Sequence, residues 1–304
     1  MPPPDQIATI LVATDFSETG DAGIAWGAQL ARAHGARLVL CHALQTPTPV
    51  APASEFIPLP ARFYDDLRAA AESCLERSAA ELRATGLAAT TVLRVGTAAE
   101  AVLAEVQKVG ADLLVAGTRG LTGWKKLLLG STTARLVRRS TCPVLTVHPE
   151  DAGRHREIRT VLIPTDFSED AALAADAAAR VVARGRASRI VLFHAYHVPV
   201  EHVAPLGVPL VLEAIAQVEA SAHTAMEEAA ARLRAHGLEV ETKILEGYPP
   251  EAIVDQARGL GADLIAMGTH GRSGVKRLIL GSTAERVLPV APCPVLTLHR
   301  EPQG

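Results

Sequence analysis

Two stretches of this chain share a spacing of glycines and hydroxyl side chains suited to holding a phosphate. One runs Gly117-x2-Gly120-x9-Gly130-Ser131-Thr132, the other Gly268-x2-Gly271-x9-Gly281-Ser282-Thr283, 151 positions later. Glycines let a backbone approach an anion closely, and Gly117 and Gly120 are candidates for φ > 0. Gly130 and Gly281 allow a sharp turn into a helix, whose positive end would carry the Ser and Thr hydroxyls and N–H groups. Upstream, an aspartate closes an apolar run in each half, at Thr14-Asp15 and Thr165-Asp166. A carboxylate there suits a ribose hydroxyl or an adenine amino group. A plainer reading stays open: Ser131 and Ser282 as ordinary N-caps, with Ser282-Thr283-Ala284-Glu285 in the form of a capping box. Repetition of the whole constellation at fixed internal spacing favours the ligand.

The spacing also excludes chemistries. No Gly-Lys dipeptide occurs, so neither loop is a Walker A motif, and the first strand ends in TDFS rather than G-x-G-x-x-G. Without the P-loop lysine, efficient γ-phosphoryl transfer lacks its usual stabilisers. Arg119, Arg272, Lys125 and Lys276 flank the loops and read as phosphate contacts. His194-x2-His197-x4-His202 has ligand-like spacing, but His194 matches His42 at a strand end, so the protein alone is read as holding no metal. Cys142 and Cys293 each precede a proline at a strand start and read as packing thiols.

Positioning these residues requires strands that alternate with helices. TILVATD at 9–15, a helix at 18–35, RLVLCHA at 37–43, a helix at 62–85, TTVLRVG at 90–96, a helix at 98–109, a strand at 112–117, a helix at 131–139 and CPVLTVH at 142–148 make one half. TPTPVAPASEFIPLP at 46–60 reads as a surface loop. The second half repeats the order. Such alternation demands parallel pairing with right-handed crossovers. Near-continuous apolar strands suit a sheet covered on both faces. Ligands of open sheets bind beyond the carboxyl ends of strands where the strand order reverses, which would bring Asp15 and Gly117 together. The expected domains are 1–150 and 156–304, hinged at DAGRHRE, 151–157.

A net charge of −3 and 3% aromatic residues argue against a nucleic-acid partner. No apolar run reaches the roughly 18–20 residues of a membrane span. MPPPDQ lacks a basic n-region, so a cytoplasmic protein with four reduced cysteines is expected.

Thr14-Asp15-Phe16-Ser17 and Thr165-Asp166-Phe167-Ser168, the LCHA and LFHA strands, both glycine loops, and CPVLTVH and CPVLTLH resemble a tandem universal stress protein of the UspA family, ATP-binding branch. The resemblance covers nearly the whole chain. It implies two Rossmann-like α/β domains, each an open five-stranded parallel sheet in order 3-2-1-4-5 with helices on both faces. It also implies ATP (or AMP or ADP), with Mg²⁺, with the base near Asp15 and Ala43 and the phosphates on Gly117–Ser131 and Thr132, Arg119 and Gly120 included. The second set is Thr165, Asp166, Ala195, Gly268, His270, Gly271, Gly281, Ser282 and Thr283. Pairing of the halves through their fifth strands, a homodimer, and a stress-response regulator with at most weak ATPase activity follow from the same resemblance. Slow hydrolysis, autophosphorylation at Ser131, Thr132, Ser282 or Thr283, and a nucleotide-free scaffold are the alternatives. Trp124 departs from the second copy, which has Val275.

Overall fold

The computed structural model describes residues 7–45, 61–118, 128–151, 157–182, 189–197, 208–271 and 280–298. The stretch 46–60, Arg119, Gly120, Trp124, Lys125, His202, Arg272, Val275 and Lys276 lie outside them. The chain divides into two compact units. One holds most of residues 1–155; the other holds Arg156–Gly304 together with Lys125–Leu129 and Pro143–Thr146.

In the first half the elements are β1 (Thr9–Ala13), α1 (Glu18–His34), β2 (Arg37–Leu44), α2 (Ala61–Ala84), β3 (Ala89–Val95), α3 (Ala98–Val109), β4 (Leu113–Gly117), α4 (Ser131–Arg139) and β5 (Val144–Val147). Strand order is β3-β2-β1-β4-β5. β1 is parallel to both neighbours, with Val12 opposite Leu40 of β2 and Val115 of β4. The second half repeats this with β6 (Thr160–Pro164), α5 (Glu169–Val182), β7 (Arg189–Tyr196), α6 (Val208–Arg234), β8 (Glu239–Glu246), α7 (Pro249–Leu260), β9 (Leu264–Gly268), α8 (Ser282–Val287) and β10 (Val295–Leu298), in order β10-β9-β6-β7-β8. The expected strand order therefore holds in each half. Right-handed crossovers put α1 and α2 on one face and α3 and α4 on the other. Both faces of the central strands are thus covered, and Ile10, Leu11, Val12, Leu113, Leu114 and Val115 are fully buried.

An aspartate before each fourth strand fixes the register of the first. Asp112 Oδ2 accepts from the N–H groups of Ala8 and Thr9 at 2.8 and 2.9 Å. Asp263 Oδ2 accepts from Arg159 and Thr160, both at 2.9 Å. No helix among the described residues is long and apolar enough to cross a membrane.

Two expectations are corrected. β1 stops at Ala13 rather than Asp15: the Thr14 N–H makes the last ladder bond, to Cys41 O at 3.0 Å, and from the Thr14 carbonyl onward the chain enters a side-chain-braced turn. The hinge does not begin at Asp151. Pro149–Asp151 is a 3-10 turn and Asp151 is only 2% exposed; its Oδ2 accepts from His148 N at 2.9 Å and its carbonyl from Trp26 Nε1 at 3.3 Å.

All four cysteines are free thiols. Burial pushes Cys41 up from 9.0 to about 12, with the Glu105 charge adding to it, and Cys142 up to about 11. The folded chain therefore keeps these protons where the unfolded chain has released them. Above about pH 9 the unfolded state binds fewer protons, so stability is full below that value and falls as pH rises toward 12. Thermal melts taken between neutral and strongly alkaline pH should show this decline, and Cys41→Ala should flatten it.

Candidate functional site

The site in each half starts with the turn that follows the first strand. Phe16 has φ 62° and Phe167 φ 63°, a left-handed conformation that costs a bulky residue energy and persists only where neighbours enforce it. Thr14 Oγ1 accepts from Phe16 N at 3.1 Å, and Thr165 Oγ1 from Phe167 N at 3.0 Å. Asp15 Oδ1 accepts from Ser17 N (3.1 Å) and Ser17 Oγ (2.5 Å); Asp166 Oδ1 accepts from Ser168 N at 3.1 Å. Ser17 Oγ in turn accepts from Gly20 N at 3.1 Å and caps α1, as Ser168 Oγ does from Ala171 N at 3.2 Å. Each phenyl ring lies 4.5 Å from a histidine ring of the second strand, Phe16 on His42 and Phe167 on His194. Those histidines donate Nδ1–H to the carbonyls of Thr14 (2.8 Å) and Thr165 (2.7 Å). The outcome is a half-buried carboxylate at the carboxyl end of the sheet in each half.

The fourth strand supplies the other side. Gly130 N donates to Thr118 O at 2.9 Å and Gly281 N to Thr269 O at 2.7 Å, closing the base of each loop. Gly130 (φ −60°, ψ 143°) and Gly281 (φ −58°, ψ 141°) are the N-caps of α4 and α8, and neither helix has a side-chain cap. Ser131 and Ser282 are thus the first helical residues, not the caps, and the capping box at 282–285 does not form. The N–H groups of the first turn, which have no intrahelical acceptor, face outward with the serine hydroxyls. Thr133 Oγ1 donates to Gly117 O at 2.5 Å; the second half has Ala284 there.

The left-handed φ expected at Gly117 is corrected, since that residue ends β4 without one, while Gly120 lies outside the described residues. Gly130, Gly268, Gly271 and Gly281 likewise have no left-handed φ. What they provide is room: a Cβ on Gly268 would lie 2.8 Å from Ala171 N and one on Gly281 2.5 Å from Thr269 O. A Cβ on Gly271 would stand 2.6 Å from Asp166 Oδ2.

Between turn and loop lies a cavity in each half. The first, about 410 Å³, is lined by Thr14, Asp15, His42 and Ala43, by Gly117, Gly130, Ser131 and Thr132, and by Ala98 and Val102 of α3. The second, about 390 Å³, is lined by Thr165, Asp166 and Ala195, by Gly268, His270, Gly271, Gly281, Ser282 and Thr283, and by Pro249 and Ile253 of α7. Both volumes fall in the usual range for small-molecule sites, about 300–1,000 Å³. Arg119 and Gly120 lie outside the described residues. In the second cavity His270 Nδ1 lies 3.3 Å from Asp170 Oδ2 and 3.0 Å from Thr269 Oγ1. Among the described residues no three His, Cys, Asp or Glu side chains converge as a metal set. His194 is engaged with Thr165 and Phe167.

The Universal stress protein family model matches residues 7–148 and again 157–299. The chain belongs to this family. A universal stress protein of Mycolicibacterium smegmatis is 28% identical over 293 residues, 95% of this chain and 96% of that one. A universal stress protein of Thermus aquaticus is 37% identical over 147 residues, 46% of this chain and 98% of its own length, as expected of a single-repeat relative of a tandem. The crystal structure of a universal stress protein from Archaeoglobus fulgidus has the same fold, with a TM-score of 0.70 at 23% identity, covering 97% of this chain and 100% of that chain.

This universal stress protein carries site features that sequence reading missed. The left-handed Phe16 and Phe167, the capping role of Ser17 and Ser168, the histidine clamps, and the α3 and α7 walls were not singled out as parts of the site. The identical TDFS tetrapeptides, each with a histidine at the end of the next strand, were the available signal for the first three.

Proposed function

We propose that this universal stress protein binds an adenine nucleotide, ATP or its AMP or ADP products, in each half, and acts as a cytoplasmic stress-response regulator whose conformation or assembly depends on occupancy. The observation that carries the reading is the pairing, in both cavities, of an uncapped helix start with a carboxylate across the sheet end. The groups fit the ligand's chemistry. N–H and hydroxyl donors of Ser131, Thr132, Ser282 and Thr283 suit phosphate oxygens. Asp15 and Asp166 accept from ribose or base, and Ala98, Val102, Pro249 and Ile253 offer an apolar wall to a purine face. Mg²⁺ would be held chiefly by the phosphates. The residues' part is to bind and orient, which is consistent with weak hydrolysis at most.

Pairing of the halves through their fifth strands, and a homodimer, belong to the same proposal. The test is to denature the purified protein and identify released nucleotide by liquid chromatography. Close to two adenine nucleotides per chain are expected after loading with ATP. None after loading would defeat the reading and favour a nucleotide-free scaffold.

A further inference from the structure

We propose that the second half carries a further binding site, for a small apolar molecule ending in an ammonium group, in a cavity behind the turn that holds Asp166. This cavity, about 180 Å³, lies between α5 and α6. Alternation along β7 puts it on the opposite face of the sheet from the larger cavity of this half: Leu192 borders the one, Phe193 and Ala195 the other. Thr165 and Ala171 line both and so form the wall between them. Phe167, whose left-handed backbone shapes the turn, borders the smaller space as well. An occupant would therefore stand directly behind the strained turn.

The space is left by alanines: Ala172 and Ala175 of α5 face Ala225 and Ala229 of α6 across it. These helices match those of the first half residue by residue. Arg83 pairs with Glu76 and Arg234 with Glu227, 151 positions on, and Ser17 and Ser168 cap α1 and α5 at the same offset. In that register the first half has Ile24 for Ala175, Cys74 for Ala225 and Ser78 for Ala229, each a larger side chain. A dry cavity of about 150 Å³ holds a benzene ring, so this one admits a phenyl ring with a short chain. The open side is charged. Asp176, Glu228 and Arg232 border it, and Arg232 Nη2 lies 3.4 Å from Asp176 Oδ2, so those two charges offset each other. Glu228 is exposed and makes no ion pair among the described residues, which leaves a net negative charge at the mouth. The first half has Arg77 in its place. An apolar floor under an unbalanced carboxylate suits a ligand with the opposite ends.

Calorimetric titration of the whole chain with phenethylamine at neutral pH, with no nucleotide present, should show saturable binding with a Kd of roughly 0.5 mM. Phenethyl alcohol has the same shape without the charge and should bind about fivefold more weakly, and Glu228→Gln should bring the two within about twofold. Ala175→Ile, which installs the first half's residue, and Ala229→Leu fill the space from opposite sides. Each should weaken the amine about tenfold or more, with a thermal melt showing that the variant keeps its fold. No saturation of the wild-type protein by about 10 mM amine would overturn the site, as would undiminished binding to the folded filling variants. Equal affinity for amine and alcohol would overturn the cationic ligand. None of these results bears on the nucleotide reading, which has its own test.

Discussion

Ser131→Pro is expected to weaken nucleotide binding in the first cavity about a hundredfold while leaving the fold almost untouched, and Ser282→Pro should do the same in the second. Both residues are the first of a helix, a position proline favours because the N–H it lacks has no intrahelical acceptor. The residue before a proline must be extended, and Gly130 at φ −60°, ψ 143° and Gly281 at φ −58°, ψ 141° already are. Each substitution therefore removes one N–H and one hydroxyl donor from the cavity edge and little else. Against an anion each such donor contributes about 1.5–3 kcal/mol. Equilibrium dialysis with ATP, alongside a thermal melt of the unliganded protein, separates the effects. Full affinity in both variants would remove the two helix starts from the site.

Gly268→Ala is expected to lower the melting temperature by about 5 °C even with no nucleotide present, and Gly281→Ala by a similar amount. The new methyl at 268 would sit 2.8 Å from Ala171 N and from the Asp170 carbonyl carbon, and 2.9 Å from Asp170 Cβ; at 281 it would meet Thr269 O at 2.5 Å. These are mostly backbone atoms of α5 and of the loop base, which cannot rotate away as a side-chain tip would. Overpacking of this kind costs about 1–3 kcal/mol. Loss of binding in a glycine variant would thus report on packing of the loop against α5 before it reported on a ligand. Unfolding followed by circular dichroism decides the point: an unchanged melt would mean that the loop shifts freely.

Much of this architecture was readable in the chain. α3 at 98–109 and α4 at 131–139 match the apolar periodicity residue for residue, because Gly110 and the break at Ser140 stop them sharply. The strand order followed from the alternation of elements and the family pattern. What escaped depended on contacts distant in sequence or on a one-residue shift. Ser131 as a cap and Ser131 as first helical residue differ by one position, and only the extended Gly130 decides between them. A phenylalanine with positive φ is not written in local propensity; at Phe16 it is held by Thr14 and by a histidine ring 26 residues on. Asp170 and His270 lie 100 residues apart, and neither alone announces the other.

Asp151 decides where the chain can be divided. A first-half fragment ending at Val147 would keep every strand and helix of its repeat, yet would strip the buried indole of Trp26 of the carbonyl its N–H reaches. Leaving such a donor unsatisfied costs about 1–3 kcal/mol, a large share of what a domain this size has to spare. The repeat as a unit of sequence similarity and the repeat as a unit of folding thus end at different residues. Dissection of the two halves belongs after Asp151, where the first has finished folding.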